Sequence, residues 1–209
     1  MSPRPYRSAV REAAAGETRA RIIAAAGSLL GGPKGAGGFS LEAVAKKAGV
    51  TRLTVYKQFG SRRALLEEVF DDMAACYGFP DLARVMNDPD PHHALRRVVA
   101  FFCDFWSSDT PALLRLHSAG ASDPDLEESV RERNERRRHL LMELVRRMAA
   151  ASSPRVKART KDLVDVLFAL TSLHFFAQLT SAGRAAAAAR RLIEVLCEDA
   201  VQRAGLRPD

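Results

Sequence analysis

FSLEAVAKKAGVTRLTVYKQFGS, residues 39–61, is the stretch whose reading decides the fold. Ser40 is a natural N-cap, and Leu41, Val44, Ala45 and Ala48 follow it on a single helical face. Gly49 ends that helix after two turns and supplies the positive φ that a tight connection needs. Thr51 caps a second short helix, Arg52–Phe59. Gly60-Ser61 then breaks the chain and recaps it before a longer helix from about Arg62 to Cys76.

Two short helices joined by a three-residue turn containing glycine can lay the second helix in a DNA major groove. Ala45 and Ala48 are small where the helices must cross, and Val50, Val55 and Phe59 fill the space between them. Thr51, Arg52, Leu53, Thr54, Tyr56 and Lys57 are left for the outward face or its edges. That mixture of hydroxyls, cations and one aliphatic suits phosphates and base edges. The spacing alone also fits a plain helical hairpin whose charged face meets water.

Upstream, Ile22, Ile23, Ala26, Leu29 and Leu30 recur at helical spacing, and Gly31-Gly32-Pro33 stops the pattern. Residues 1–15 read as a flexible basic arm. Arg4, Arg7 and Arg11 either enter the minor groove or form a solvated tail that attracts polyanions diffusely. Downstream, helices are expected at Pro91–Ser107, Pro111–Ser118, Pro124–Ala151, Arg155–Thr180 and Arg184–Ala204. No stretch of useful length alternates with period two, so the chain reads as all-α. The organisation expected is an arm over residues 1–15, a helix-turn-helix domain over 16–76 and a helical bundle over 77–209.

The formal charge is +7, and its location matters more than its size. Residues 1–63 hold twelve Lys and Arg against three Glu, a net of +9, so the rest of the 209 residues sum to −2. Such asymmetry joins a module for a polyanion to a body for something else. The apolar and charged fractions, 47% and 27%, exclude disordered and collagen-like classes. Cys76, Cys103 and Cys197 are an odd, scattered set, which argues against a disulfide framework and fits a reducing cytoplasm. No secretory signal is read at the basic N-terminus. The longest run without a charged residue, Val166–Gly183, carries Thr171, Ser172, His174 and Gln178 and reads as a buried helix rather than a membrane span.

Thr18–Ile23, Phe39–Ala45, Ala48–Arg52, Thr54–Arg62 and Ala64–Leu66 together resemble the tetracycline-repressor-type (TetR) regulators. The likeness covers residues 17 to about 70. It implies a cytoplasmic homodimer, usually a repressor, that binds double-stranded operator DNA and leaves it when a small molecule enters the C-terminal domain. By position, Arg52 would read a base edge or phosphate, while Thr51, Thr54, Tyr56 and Lys57 anchor the DNA backbone. Arg62 stands where the family commonly has a phosphate-binding cation, and the Ser40 backbone N–H can face a phosphate at a helix start. Leu53 departs from the small or polar residue of many relatives; facing DNA, its partner is a thymine methyl. The glycine-rich Gly31–Gly38 loop is looser than is usual in the family.

The same resemblance places an effector cavity among the body helices. Phe105, Trp106, Phe168 and Phe175 are its expected wall, with His117, His174 and Arg137 as polar contacts; helical spacing alone makes each equally a core residue. A second apolar stripe on Arg155–Thr180 asks for a partner subunit. Val164, Phe168 and Leu179, with Leu192, Val195 and Leu196 of the last helix, are the expected dimer interface. No Cys-x-x-Cys, His-x-x-x-His or Glu-x-x-His pattern is present, so no metal and no cofactor is expected. The rival class is a helical-bundle enzyme or small-molecule carrier without specific DNA binding. No nucleophile–base or acid–base constellation proposes an enzyme, and none is expected.

Overall fold

Three side-chain caps, each acting within three residues, fix the start of the fold. The Ser40 hydroxyl accepts from the Ala43 N–H, Thr51 from Thr54, and Ser61 from Ala64. Each satisfies one of the amide donors that a helix start leaves without a partner. Gly49, at φ +67°, donates its N–H back to the Ala45 and Lys46 carbonyls and closes the first of the two short helices.

In this computed structural model residues 5–32, 35–76, 82–119, 123–150, 153 and 158–206 are described. Among them are eleven α-helices and no strand. The first four are α1 (Pro5–Leu30), α2 (Leu41–Ala48), α3 (Arg52–Phe59) and α4 (Arg62–Cys76). Then come α5 (Leu82–Met86), α6 (Pro91–Ser108), α7 (Thr110–Ala119) and α8 (Pro124–Met148). The last three are α9 (Thr160–Leu170), α10 (Leu173–Ser181) and α11 (Ala186–Arg203).

The described residues fall into two compact units, one holding those of 1–73 and 115–129, the other those of 74–114 and 130–209. In the first, Ile22, Ala26 and Leu30 of α1 are buried together with Val44, Val55, Leu65 and Leu66 of the next three helices. The arm read over residues 1–15 is different: α1 already begins at Pro5. The alanines at 13–15 carry the helix through Gly16 despite its poor propensity. The side chains of Arg4, Arg7 and Arg11 lie outside the described residues.

In the second unit α6 packs along α11, and α9 and α10 lie against α11. Leu95, Val98, Val99 and Phe102 form the buried stripe of α6; Ile193, Cys197 and Val201 form that of α11. The single helix expected over Arg155–Thr180 is instead two, α9 and α10, bent by 49°. The cause is a cap. Ser172 adopts an extended conformation and accepts from the Phe175 N–H, starting a new helix. No single described helix is long and apolar enough to cross a membrane.

Candidate nucleic-acid interface and effector site

Val55 and Phe59 are buried on one side of α3, and this fixes what the other side presents. Leu53, Tyr56 and Lys57 stand at i, i+3 and i+4 and are exposed, Leu53 to 60% and Tyr56 to 55%. Arg52 is exposed at the first turn, and no acidic residue lies on α3. Thr51 and Thr54 share a hydroxyl–hydroxyl contact of 2.9 Å, so one of the two protons is held within the cap. Arg19 of α1 braces the far end of α3. Its guanidinium lies 4.5 Å from the Phe59 ring centroid, donates to the Gln58 carbonyl at 3.3 Å and pairs with Glu68 at 2.6 Å. Arg19 was legible only as part of the family motif; its bracing role was not.

Arg62, the expected phosphate contact, is paired with carboxylates of its own chain. Its guanidinium forks onto both oxygens of Asp123, reaches Asp125 at 3.2 Å and lies 5.0 Å from the Phe39 ring centroid. A carboxylate matches the planar guanidinium fork as a phosphate does, and here two carboxylates occupy it. Asp123 also caps α8, accepting from the Leu126 N–H with Pro124 in the first helical position. Asp-Pro opening a helix was visible in the sequence; its reach to Arg62, 61 positions away, was not.

The Arg62 hydrogen bond holds the Asp123 carboxyl below the usual carboxylate range, against the opposing effect of burial. A carboxyl with a lowered folded pKa contributes stability above its unfolded value, near pH 4, and loses it as pH falls through the folded one. Asp123→Asn should therefore cost about 1.5 kcal/mol at pH 7. The gap from the unsubstituted protein should close in acid. Urea unfolding at pH 7 and pH 3 measures both; an equal gap at the two pH values would contradict the pairing.

The seven effector candidates divide between the two units. His117 falls in the first unit and the other six in the second. His174, expected within an apolar helix, is exposed, because the break at Thr171–Ser172 resets the register of α10. Phe105 and Phe175 are half-buried, with Phe105 tilted against Trp106 at 5.0 Å. Trp106, Arg137 and Phe168 do converge, on Thr171, legible in the sequence only as a polar residue in an apolar run. The Trp106 indole N–H donates to the Thr171 carbonyl at 3.0 Å. Arg137 donates to the Thr171 hydroxyl and to the Phe168 carbonyl, each at 2.8 Å, and to Asn134 at 3.3 Å. The Thr171 hydroxyl in turn donates to the Leu167 carbonyl.

Arg137 is only 5% exposed, with its guanidinium 4.0 Å from the Phe168 ring centroid and 5.7 Å from that of Phe102. Among the described residues no carboxylate pairs with it, and burial pulls its pKa down to about 10, so it stays charged at neutral pH. Neutral acceptors and two aromatic faces take the place of a counter-ion. An open groove of about 860 Å³ lies between α8 and α9, lined by Met142, Val145, Ala149, Thr160 and Asp165 among others. None of the seven candidates lines it.

Of the expected dimer residues, Val164 is buried within its own protomer and lines that groove. Phe168 lies beneath the guanidinium groups of both Arg137 and Arg138. Leu179, Leu192 and Leu196 are half-buried, and Val195 is 53% exposed. Cys103 and Cys197 are buried free thiols that burial pushes up to about 12, far from nucleophilic use at neutral pH. Among the described residues no group of three or more His, Cys, Asp or Glu could hold a metal ion.

A capped pair of short helices with an acid-free outer face, followed by further helices, is a helix-turn-helix arrangement in an all-helical chain. Residues 22–69 match the TetR_N family, the bacterial regulatory proteins of the tetR family. The fold is shared with a chain described as a TetR-family transcriptional regulator from Mesorhizobium loti MAFF303099. That likeness has a TM-score of 0.61 and 20% identity, covering 90% of this chain and 97% of that one. It is shared too with an HlyIIR mutant carrying a GSSGSSG linker, at a TM-score of 0.57 and 17% identity over 87% and 96% of the two chains. No curated protein matches the chain significantly. The architecture is thus the TetR-family fold, with an N-terminal helix-turn-helix domain and a C-terminal helical domain.

Proposed function

We propose that this protein is a cytoplasmic TetR-type transcriptional repressor. It binds a pseudo-palindromic operator as a homodimer and releases it when a small-molecule effector binds the body. The observation that carries this reading is the outer face of α3, where Arg52, Leu53, Tyr56 and Lys57 are exposed on a helix without an acid. It sits within the segment that holds all the positive excess of the chain.

A dimer presents two such helices about 34–36 Å apart, one turn of DNA, or further apart by whole turns. Leu179, Leu192, Val195 and Leu196 are the side chains offered for pairing, since they keep exposed or half-buried apolar surface. The effector acts by favouring a conformer whose paired helices no longer fit that spacing, and operator DNA must then weaken effector binding by the same factor.

Selection from a random duplex library at moderate salt tests the DNA reading: an enriched two-fold site supports it, and no enrichment rejects it. Sedimentation tests the assembly. A species of 22.9 kDa at micromolar concentration ends the dimer and the paired-site operator with it.

A further inference from the structure

Leu53 is the most exposed large apolar side chain among the described residues. Five such side chains are exposed, and the two in the first unit, Leu53 and Tyr56, are neighbours on the outer face of α3. A single exposed leucine on a protein surface is ordinary. This one is not placed at random. It follows Arg52 in the first turn of α3, the part of a groove-reading helix that meets base edges. Its direction is set by Val55 and Phe59, whose burial turns Leu53 and Lys57 outward.

A leucine can make no hydrogen bond to a base. Of the groups displayed in the major groove by the four base pairs, the one apolar group is the 5-methyl of thymine. Arg52 and Lys57, on either side in sequence, supply the charge that draws a phosphate backbone against this face, and α3 holds no carboxylate to oppose it. The tie between the Thr51 and Thr54 hydroxyls further limits the polar contacts the first turn can offer a base.

We infer that Leu53 is a specificity-determining residue that packs on the 5-methyl group of one thymine in each half-site. It selects thymine over cytosine and fixes the orientation of that A·T pair. This inference rests on the DNA-binding reading above, and the test separates the two. The selected duplex is resynthesised with each thymine replaced in turn by deoxyuridine in both half-sites, which removes a methyl group and nothing else. Binding is then measured by fluorescence anisotropy at fixed salt.

One position is expected at which deoxyuridine weakens binding about fifteenfold, near fourfold for each of the two methyl groups removed. For Leu53→Ala that position should become indifferent to the methyl group. For Leu53→Met, which keeps an apolar side chain of similar size, the sensitivity should remain. Leu53 is exposed, so both variants should retain the thermal unfolding curve of the parent chain. A selected site with no required thymine, no uridine-sensitive position, or a sensitivity unchanged in Leu53→Ala overturns the inference while leaving DNA binding intact. Failure to select any site removes the DNA reading, and this inference falls with it.

Discussion

Arg137→Ala should destabilise the protein by about 3 kcal/mol, whereas Arg137→Met should cost about half as much. The alanine variant leaves the Phe168 carbonyl, the Thr171 hydroxyl and the Asn134 oxygen without their donor and opens a void beneath two aromatic rings. Methionine fills most of that void and removes a buried charge that no carboxylate among the described residues balances, so part of the loss is recovered through relief of desolvation. Urea unfolding followed by circular dichroism should show the midpoint falling in the order parent, methionine, alanine with an unchanged slope. An alanine variant within about 1 kcal/mol of the parent would show that the junction between α9 and α10 holds without Arg137.

The second large effect is expected at the DNA interface. Arg52→Ala should cost roughly 1–3 kcal/mol and relax sequence preference at one position in each half-site, since a base-edge contact carries sequence information. Lys57→Ala should instead weaken all sequences alike and lower the salt-dependence slope by about one unit for each phosphate no longer neutralised, two for a dimer. Both side chains are exposed, so neither change should disturb folding. Repeating the random-duplex selection and the salt titration with each variant separates the two roles. Identical selected sites for Arg52→Ala and the parent chain would remove Arg52 from sequence reading.

The helix-turn-helix was legible because its determinants are local. Ser40, Thr51 and Ser61 each cap an amide three residues on, and Gly49 needs only its own backbone freedom, so a short window of sequence contains the whole cause. The helices Pro91–Ser108, Thr110–Ala119, Pro124–Met148 and Ala186–Arg203 also fall within three residues of the expected ends. Their stops are marked by Pro, Asp, Gly or a change of polarity in the sequence itself.

What escaped the sequence depends on distant partners. The Thr171–Ser172 break looks, in a window of apolar residues, like two more turns of helix. It is held by Arg137, 34 positions away, and by Trp106, 65 positions away. A reading without that break puts His174 in the wrong surroundings. Arg62 shows the same limit. Its place in the motif suggests a phosphate, while the carboxylates that occupy its fork lie 61 and 63 positions on. Leu53 is the opposite case, since its departure from the family pattern is visible at once and its exposure agrees with a role outside the core.

Trp106 is the only tryptophan in the chain, and its indole is 9% exposed and tied to the carbonyl at the α9–α10 junction. Near-ultraviolet emission from the native protein therefore comes from one known place, with no second indole to average against it. A shift of the emission maximum to longer wavelength would register water reaching the Thr171 carbonyl. A spectrum that holds while other probes change would locate the event elsewhere in the chain. The molecule carries a site-specific optical reporter in its own sequence, readable without a label or a substitution.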